Sequence, residues 1–183
     1  FDYDWQVPKN PQAQAIRTKS RELQFSGLES DRSKQRGCLP DYLLKFRVPG
    51  ENAVKIDTPN QVSRNEWIDW AESAWYGIKE TNTLNVREAK AKDDTKHICP
   101  LQLDVIDRLV RLYTNPEEIV FSPFTGIGSE GYMALKRSRR FYGCELKESY
   151  YNTAMLNMER AIEARQSEQS GLFEDIETAN AAS

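Results

Sequence analysis

The strongest periodicity lies in the last third of the chain. Leu101, Val105, Ile106, Leu109, Val110 and Leu112 recur at helical spacing, and Asn115-Pro116 ends the run. Glu118-Ile119-Val120-Phe121 reads as a short apolar strand, followed by the turn Ser122-Pro123-Phe124-Thr125-Gly126-Ile127-Gly128-Ser129. A helix is expected from about Glu130 to Arg137. A second strand covers Phe141-Tyr142-Gly143-Cys144 and ends at Glu145. A third helix runs from about Ser149 to Ala164, with Tyr151, Ala154, Met155, Met158 and Ile162 as its buried stripe. Residues 166–183 are polar and rich in small residues, and read as a flexible tail.

The first half of the chain is patterned less regularly. Phe1-Asp2-Tyr3-Asp4-Trp5 alternates like a strand and stops at Pro8 and Pro11. Residues 17–37 are polar and charged and read as an exposed excursion. Leu39 to Val48 reads as a strand with Tyr42, Leu44, Phe46 and Val48 on one face, closed by Pro49-Gly50. A helix is expected near residues 65–71, capped by Ser63 with Glu66 in the capping-box position. Trp67, Trp70 and Trp75 read as core packing. Residues 79–96 read as a surface loop. The divisions that follow are 1–50, 51–96, 97–165 and 166–183.

Composition changes little of this picture. The chain has 183 residues, 39% of them hydrophobic and 29% charged, enough for one sizeable core and too apolar for wholesale disorder. It has no apolar run of about eighteen residues and no basic-then-apolar leader pattern, so neither a membrane span nor a secretory signal is expected. It opens on Phe1, which suggests a start inside a longer protein. Cys38, Cys99 and Cys144 are widely spaced and His97 is the lone histidine, which argues against a disulfide framework, a zinc site and Ser-His or Cys-His catalysis. The expectation is a cytoplasmic protein with reduced thiols.

Charge is more telling in its distribution than in its total of −3. Arg17, Lys19, Arg21, Arg32, Lys34, Arg36, Lys45 and Arg47 crowd one segment, while Glu159, Glu163, Glu168, Glu174, Asp175 and Glu177 mark the end. A basic face for phosphates fits this asymmetry, and so does an ordinary solvated surface.

Helix, strand, glycine turn, helix, strand and acid form half of a doubly wound α/β unit. Gly126 and Gly128 let a ligand approach the backbone closely, beside the positive end of the next helix. Glu145 stands seventeen residues after Gly128, at a strand tip, where a carboxylate can accept hydrogen bonds from both hydroxyls of a ribose. The combination points to a nucleoside-containing cofactor. Gly126, Gly128 and Gly131 also satisfy the Gly-x-Gly-x-x-Gly spacing, so an NAD-binding oxidoreductase stays open, although Pro123-Phe124 is foreign to a dinucleotide turn.

The motifs from His97 to Gln102, Asn115-Pro116, Val120 to Gly131, Arg139 to Leu146 and Tyr150-Tyr151 together resemble the cofactor half of the amino-methylating DNA methyltransferases. These are the adenine-N6 and cytosine-N4 enzymes of bacteria and phages. Leu39 to Asn52 also resembles their strand and Pro-Gly turn, in members whose catalytic motif precedes the cofactor motif. The resemblance implies a Rossmann-like α/β fold for S-adenosylmethionine, incomplete in this chain. It implies cofactor contacts from His97, Pro123, Phe124, Thr125, Gly126, Gly128, Ser129 and Glu145, with Glu145 on the ribose and His97 near the amino-acid end.

The resemblance departs at Ser122, where an acid is usual, and at Cys99-Pro100-Leu101-Gln102, where Gln-Lys-Pro is usual. The family's Asp/Asn/Ser-Pro-Pro-aromatic tetrapeptide does not occur, so no catalytic residue and no metal site are assigned. In this motif order the tetrapeptide would lie upstream of Phe1. The expected whole acts on double-stranded DNA in the cytoplasm of a bacterium or phage-infected cell. It flips a base and methylates its exocyclic amino group. An upstream half of the same protein, or a second copy of the chain, is the expected protein partner. An inactive cofactor- or DNA-binding remnant is the alternative. Arg17, Lys19, Arg32, Lys34 and Arg36 are the candidate phosphate contacts, and residues 51–96 lie where recognition elements sit.

Overall fold

The computed structural model describes residues 2–7, 41–79, 81–84 and 100–181. The chain divides into two compact units, one of Phe1–Lys55 with Pro59–Asn82 and the other of Ile56–Thr58 with Thr83–Ser183.

In the first unit, β1 (Asp2–Val7) pairs antiparallel with β2 (Asp41–Lys45), with an irregularity between Tyr3 and Trp5. β1 stops just before Pro8, which has no N–H to continue the ladder. β2 is shorter than its alternation suggests: Phe46 and Val48 lie beyond it, and Tyr42, Leu44, Phe46 and Val48 are all exposed. α1 (Thr58–Gln61) leads into α2 (Arg64–Trp70). Ser63 caps α2 as expected: its hydroxyl accepts the Glu66 N–H at 3.3 Å, and Glu66 accepts the Ser63 N–H at 2.9 Å. Val62, Trp70, Trp75 and Ile78 are buried, and the Trp75 indole donates to the Trp70 carbonyl at 2.9 Å. Trp67 departs from the core reading and is about half exposed, because the single inward face of a two-turn helix is taken by Trp70.

The second unit is built on α3 (Leu103–Tyr113), β3 (Ile119–Ser122), α4 (Ser129–Lys136), β4 (Arg140–Gly143) and α5 (Glu148–Ala181). β3 and β4 pair in parallel, from Ile119 against Arg140 to Ser122 against Gly143, with α4 as the crossover between them. This is the βα unit of a Rossmann-like fold. Ile106 and Val110 of α3 and Met133 of α4 form the core, with Leu103 and Val120 packed against it. The other side of the sheet carries Ile119, Phe121 and Tyr142, all exposed, with the Phe121 and Tyr142 rings stacked at 6.0 Å between centroids.

α5 corrects two expectations. It continues through residues 166–181, which read as a tail. No proline follows Pro123, and the Lys136 ammonium meets the Glu168 carboxylate at 2.8 Å while Arg165 reaches the Leu135 carbonyl at 3.4 Å. Of the expected stripe Ala154 is buried, Met158 and Ile162 are half-buried, and Tyr151 and Met155 are exposed, while Thr153, Asn157 and Ala161 complete the buried face. The helix packs close to α4, and close approach selects small side chains over large apolar ones.

One charged side chain ties the unit together. Arg139 is only 5% exposed. Its guanidinium donates to the Thr114 hydroxyl at 2.9 Å, the Thr114 carbonyl at 2.6 Å and the Arg137 carbonyl at 2.5 Å. The end of α3 is thereby fixed to the turn before β4. Burial, with Arg137 nearby, pulls the Arg139 pKa down. Beside it, Asp107 of α3 accepts a two-pronged ion pair from Arg137, with Nη2 at 3.1 Å.

Replacing Arg139 with Met keeps the stem and strands three part-buried acceptors. Arg139→Met is expected to lose about 3 kcal/mol of stability in urea melts. A loss within about 0.5 kcal/mol, as for an ordinary surface change, would contradict the clamp.

Candidate functional site

The site begins where the two parallel strands end. Beyond the last ladder pair, the Ser122 carbonyl accepts the Cys144 N–H at 3.0 Å, and the Cys144 carbonyl accepts the Thr125 N–H at 2.9 Å. The chain then reverses over Thr125 to Gly128, where the Gly128 N–H donates to the Thr125 carbonyl at 2.9 Å. Gly126 and Gly128 adopt φ of 55° and 86°, the left-handed region where a side chain is strained. Gly128 is also the N-cap of α4 and supplies no capping side chain, so the positive end of that helix opens at the turn.

Glu145 folds back onto this turn. Its Oε2 accepts the Gly126 N–H at 2.7 Å, and its Oε1 accepts the Lys147 N–H at 2.9 Å. A carboxylate has about four lone-pair positions, so each oxygen keeps capacity for a further donor. A cleft of about 180 Å³ opens beside it, lined by Thr125, Tyr142, Glu145, Tyr151, Met155 and Met158 among others. The Lys147 ammonium stands 4.3 Å from the centroid of the Tyr150 ring, close enough for a cation–π contact.

Of the candidate residues, Gly126 donates directly to Glu145, and Thr125 is bonded to the Cys144 carbonyl and to the Gly128 N–H. Gly128 and Ser129 are buried at the start of α4. Pro123 and Phe124 project outward, Phe124 with 86% of its surface exposed. His97, Arg17, Lys19, Arg32, Lys34 and Arg36 lie outside the described residues. At Ser122, where an acid is usual, it is the backbone carbonyl that joins the strand ends.

Asn157 escaped the sequence reading, and Ala154 was expected to be buried but not to meet the turn. Ala154 and Asn157 of α5 stand behind the turn. An added Cβ on Gly128 would come within 3.0 Å of the Ala154 Cβ, and the Asn157 amide donates to the Ile127 carbonyl at 2.8 Å. Gln102, the N-cap of α3, is buried, and its Oε1 has no hydrogen-bond partner among the described residues. Asn157 and Ala154 carry one legible signal: they are small or polar residues three apart on the helix after the acid.

Glu130, in the first turn of α4, is a perturbed acid next to Ser129 in the chain. Burial pushes its carboxyl above the ordinary 4.5, against the pull of its own backbone N–H. A raised folded-state pKa means that ionisation opposes folding. The penalty is full at neutral pH and gone well below pH 4.5, where the folded and unfolded chains are both protonated. Glu130→Gln is therefore expected to melt higher than the parent at neutral pH, with the gap closing as pH falls. Thermal melts across pH check this, and a gap independent of pH would contradict it.

The N6/N4 methyltransferase family model, described as DNA methylase, matches residues 3–156. The chain is similar to the Type II methyltransferase M.BglI of Bacillus subtilis, with 30% identity over 135 residues, 73% of this chain and 35% of that protein. It is also similar to the Type II methyltransferase M1.MboII of Moraxella bovis, with 38% identity over 58 residues, 32% of this chain and 22% of that protein. Among solved structures, the M1.HpyAVI–SAM complex shares 30% identity over 38% of this chain and 34% of that one, with a TM-score of 0.33. The chain spans about a third or less of the length of the curated relatives named here. The dinucleotide reading of the three glycines gains no support from these relatives. The match runs from β1 through the glycine turn and Glu145 into α5, and the chain belongs to the N6/N4 DNA methylase family.

Proposed function

We propose that this chain forms the S-adenosylmethionine-binding part of a DNA methyltransferase acting on the exocyclic amino group of adenine or cytosine. The observation that carries the reading is the junction of Glu145 with the turn at Gly126.

The residues present fit the cofactor. Glu145 keeps lone pairs for the two ribose hydroxyls while it anchors the turn. The opening of α4, with no side chain capping it, suits a carboxylate such as that of a methionine moiety. Gln102 Oε1, a buried acceptor with no hydrogen-bond partner among the described residues, has the chemistry to receive an ammonium group. When bound, S-adenosylmethionine supplies an electrophilic methyl group on sulfur. The contribution of this chain is to bind and orient: the acid fixes the ribose, the turn approaches the ligand without Cβ obstruction, and the helix end sets its polarity.

Handling of the target base falls to residues outside this chain, since no Asp/Asn/Ser-Pro-Pro-aromatic tetrapeptide occurs in it. The same absence favours a second reading, in which the chain holds cofactor or DNA without turnover. In the first reading an upstream segment or a partner copy completes the enzyme, double-stranded DNA is the substrate, and Arg17, Lys19, Arg32, Lys34 and Arg36 contact its phosphates.

Calorimetric titration with S-adenosylhomocysteine tests the pocket. The chain is expected to bind, and Glu145→Ala to weaken binding at least about tenfold, the size of a charged hydrogen bond. A folded chain that binds nothing, or a Glu145→Ala variant of unchanged affinity, would overturn the reading.

A further inference from the structure

A glycine turn is permissive by composition, and something must hold it in the one shape that receives a ligand. Glu145 holds its first residue, Gly126. The far side is held by α5. Asn157 is 3% exposed, and its amide reaches back thirty residues to donate to the Ile127 carbonyl at 2.8 Å in a buried setting. Its Oδ1 accepts a longer bond from Arg160 at 3.4 Å, which orients the amide with its nitrogen toward the turn. Ala154, one turn earlier on the same face, is 1% exposed and lies against Gly128.

The Ile127 carbonyl belongs to the peptide whose N–H is that of Gly128, so fixing the carbonyl fixes the plane of the peptide between the two left-handed glycine positions. On its other side, that N–H is tied to the Thr125 carbonyl at 2.9 Å. A peptide held at both ends cannot flip, and a flip at this point would reverse the polarity that the turn presents.

We infer that Asn157 is a positioning residue for the cofactor: it locks the Ile127–Gly128 peptide and so presets the glycine turn. The role rests on the reading of the turn and Glu145 as an S-adenosylmethionine site. It goes beyond that reading in assigning part of the affinity to a side chain behind the turn, which need not touch the ligand. Leucine at 157 matches the shape and removes the donor, while aspartate matches the shape and places an acceptor against the carbonyl. Both leave Glu145, Gly126 and Gly128 in place.

The test compares Asn157→Leu, Asn157→Asp and Val105→Ala with the parent chain. Val105 is a buried core residue of α3, and its truncation serves as a destabilised control. Thermal melts and calorimetric affinity for S-adenosylhomocysteine are measured for each, at a temperature where all four are folded. Both Asn157 variants are expected to lose affinity about tenfold or more, the size of one buried hydrogen bond, while Val105→Ala melts lower and binds like the parent. Asn157 variants that bind like the parent would overturn the inference. So would a loss of affinity that follows the melting temperature equally in Val105→Ala. A folded parent that binds no S-adenosylhomocysteine would overturn the cofactor reading itself, and the role of Asn157 with it.

Discussion

The hydrogen bond from the Gly126 N–H to Glu145 joins two parts of the chain that sequence holds nineteen residues apart. Parallel strands cannot meet through a tight turn, so their ends are brought together only by the crossover between them. Here the crossover is α4, and once it packs, β3 and β4 end side by side. Glu145 then reaches across from one strand end to the turn that leaves the other. The same carboxylate accepts the Lys147 N–H, which settles the start of α5. Turn, acid and the two flanking helices are thus one construction, and a ligand held by any of them is held in register with the rest.

The packing beneath follows from that junction. Gly126 faces open space, but the glycine turn has no side chain to fill space at Gly128, and its neighbour comes close there. α5 does so with Ala154 and Asn157, and the cost of a larger residue is visible at Gly128, where even a Cβ would crowd Ala154. On the other flank, the buried guanidinium of Arg139 fixes the end of α3 to the turn before β4. Ile106 and Val110 of α3 pack with Met133 of α4 in the core.

Much of this was legible in the sequence, and the reasons differ by element. The periodicity of α3, the paired apolar strands, the glycine turn and the acid after β4 each carry a local signal, and their order implies the βα unit. Ser63 and Glu66 announced the start of α2 by the chemistry of capping. The buried stripe of α5 was legible only at Ala154, because apolarity favours Tyr151 and Met155 while the packing selects Thr153, Asn157 and Ala161. That choice depends on the distance to α4, which no local pattern encodes. The continuation of α5 past Ala164 was missed for a like reason: its polar residues are held by Leu135 and Lys136, far away in sequence. Trp67 shows the converse, since a large aromatic on a two-turn helix is not thereby a core residue.

Backbone amide exchange, read residue by residue with and without S-adenosylhomocysteine, tests most directly whether the strand-end junction is the cofactor site. The account predicts added protection centred on Gly126 to Ser129 and on Glu145 to Lys147, with the helices of the first unit unchanged. A ligand that leaves both segments as exchangeable as before, or that protects α2 instead, would contradict it.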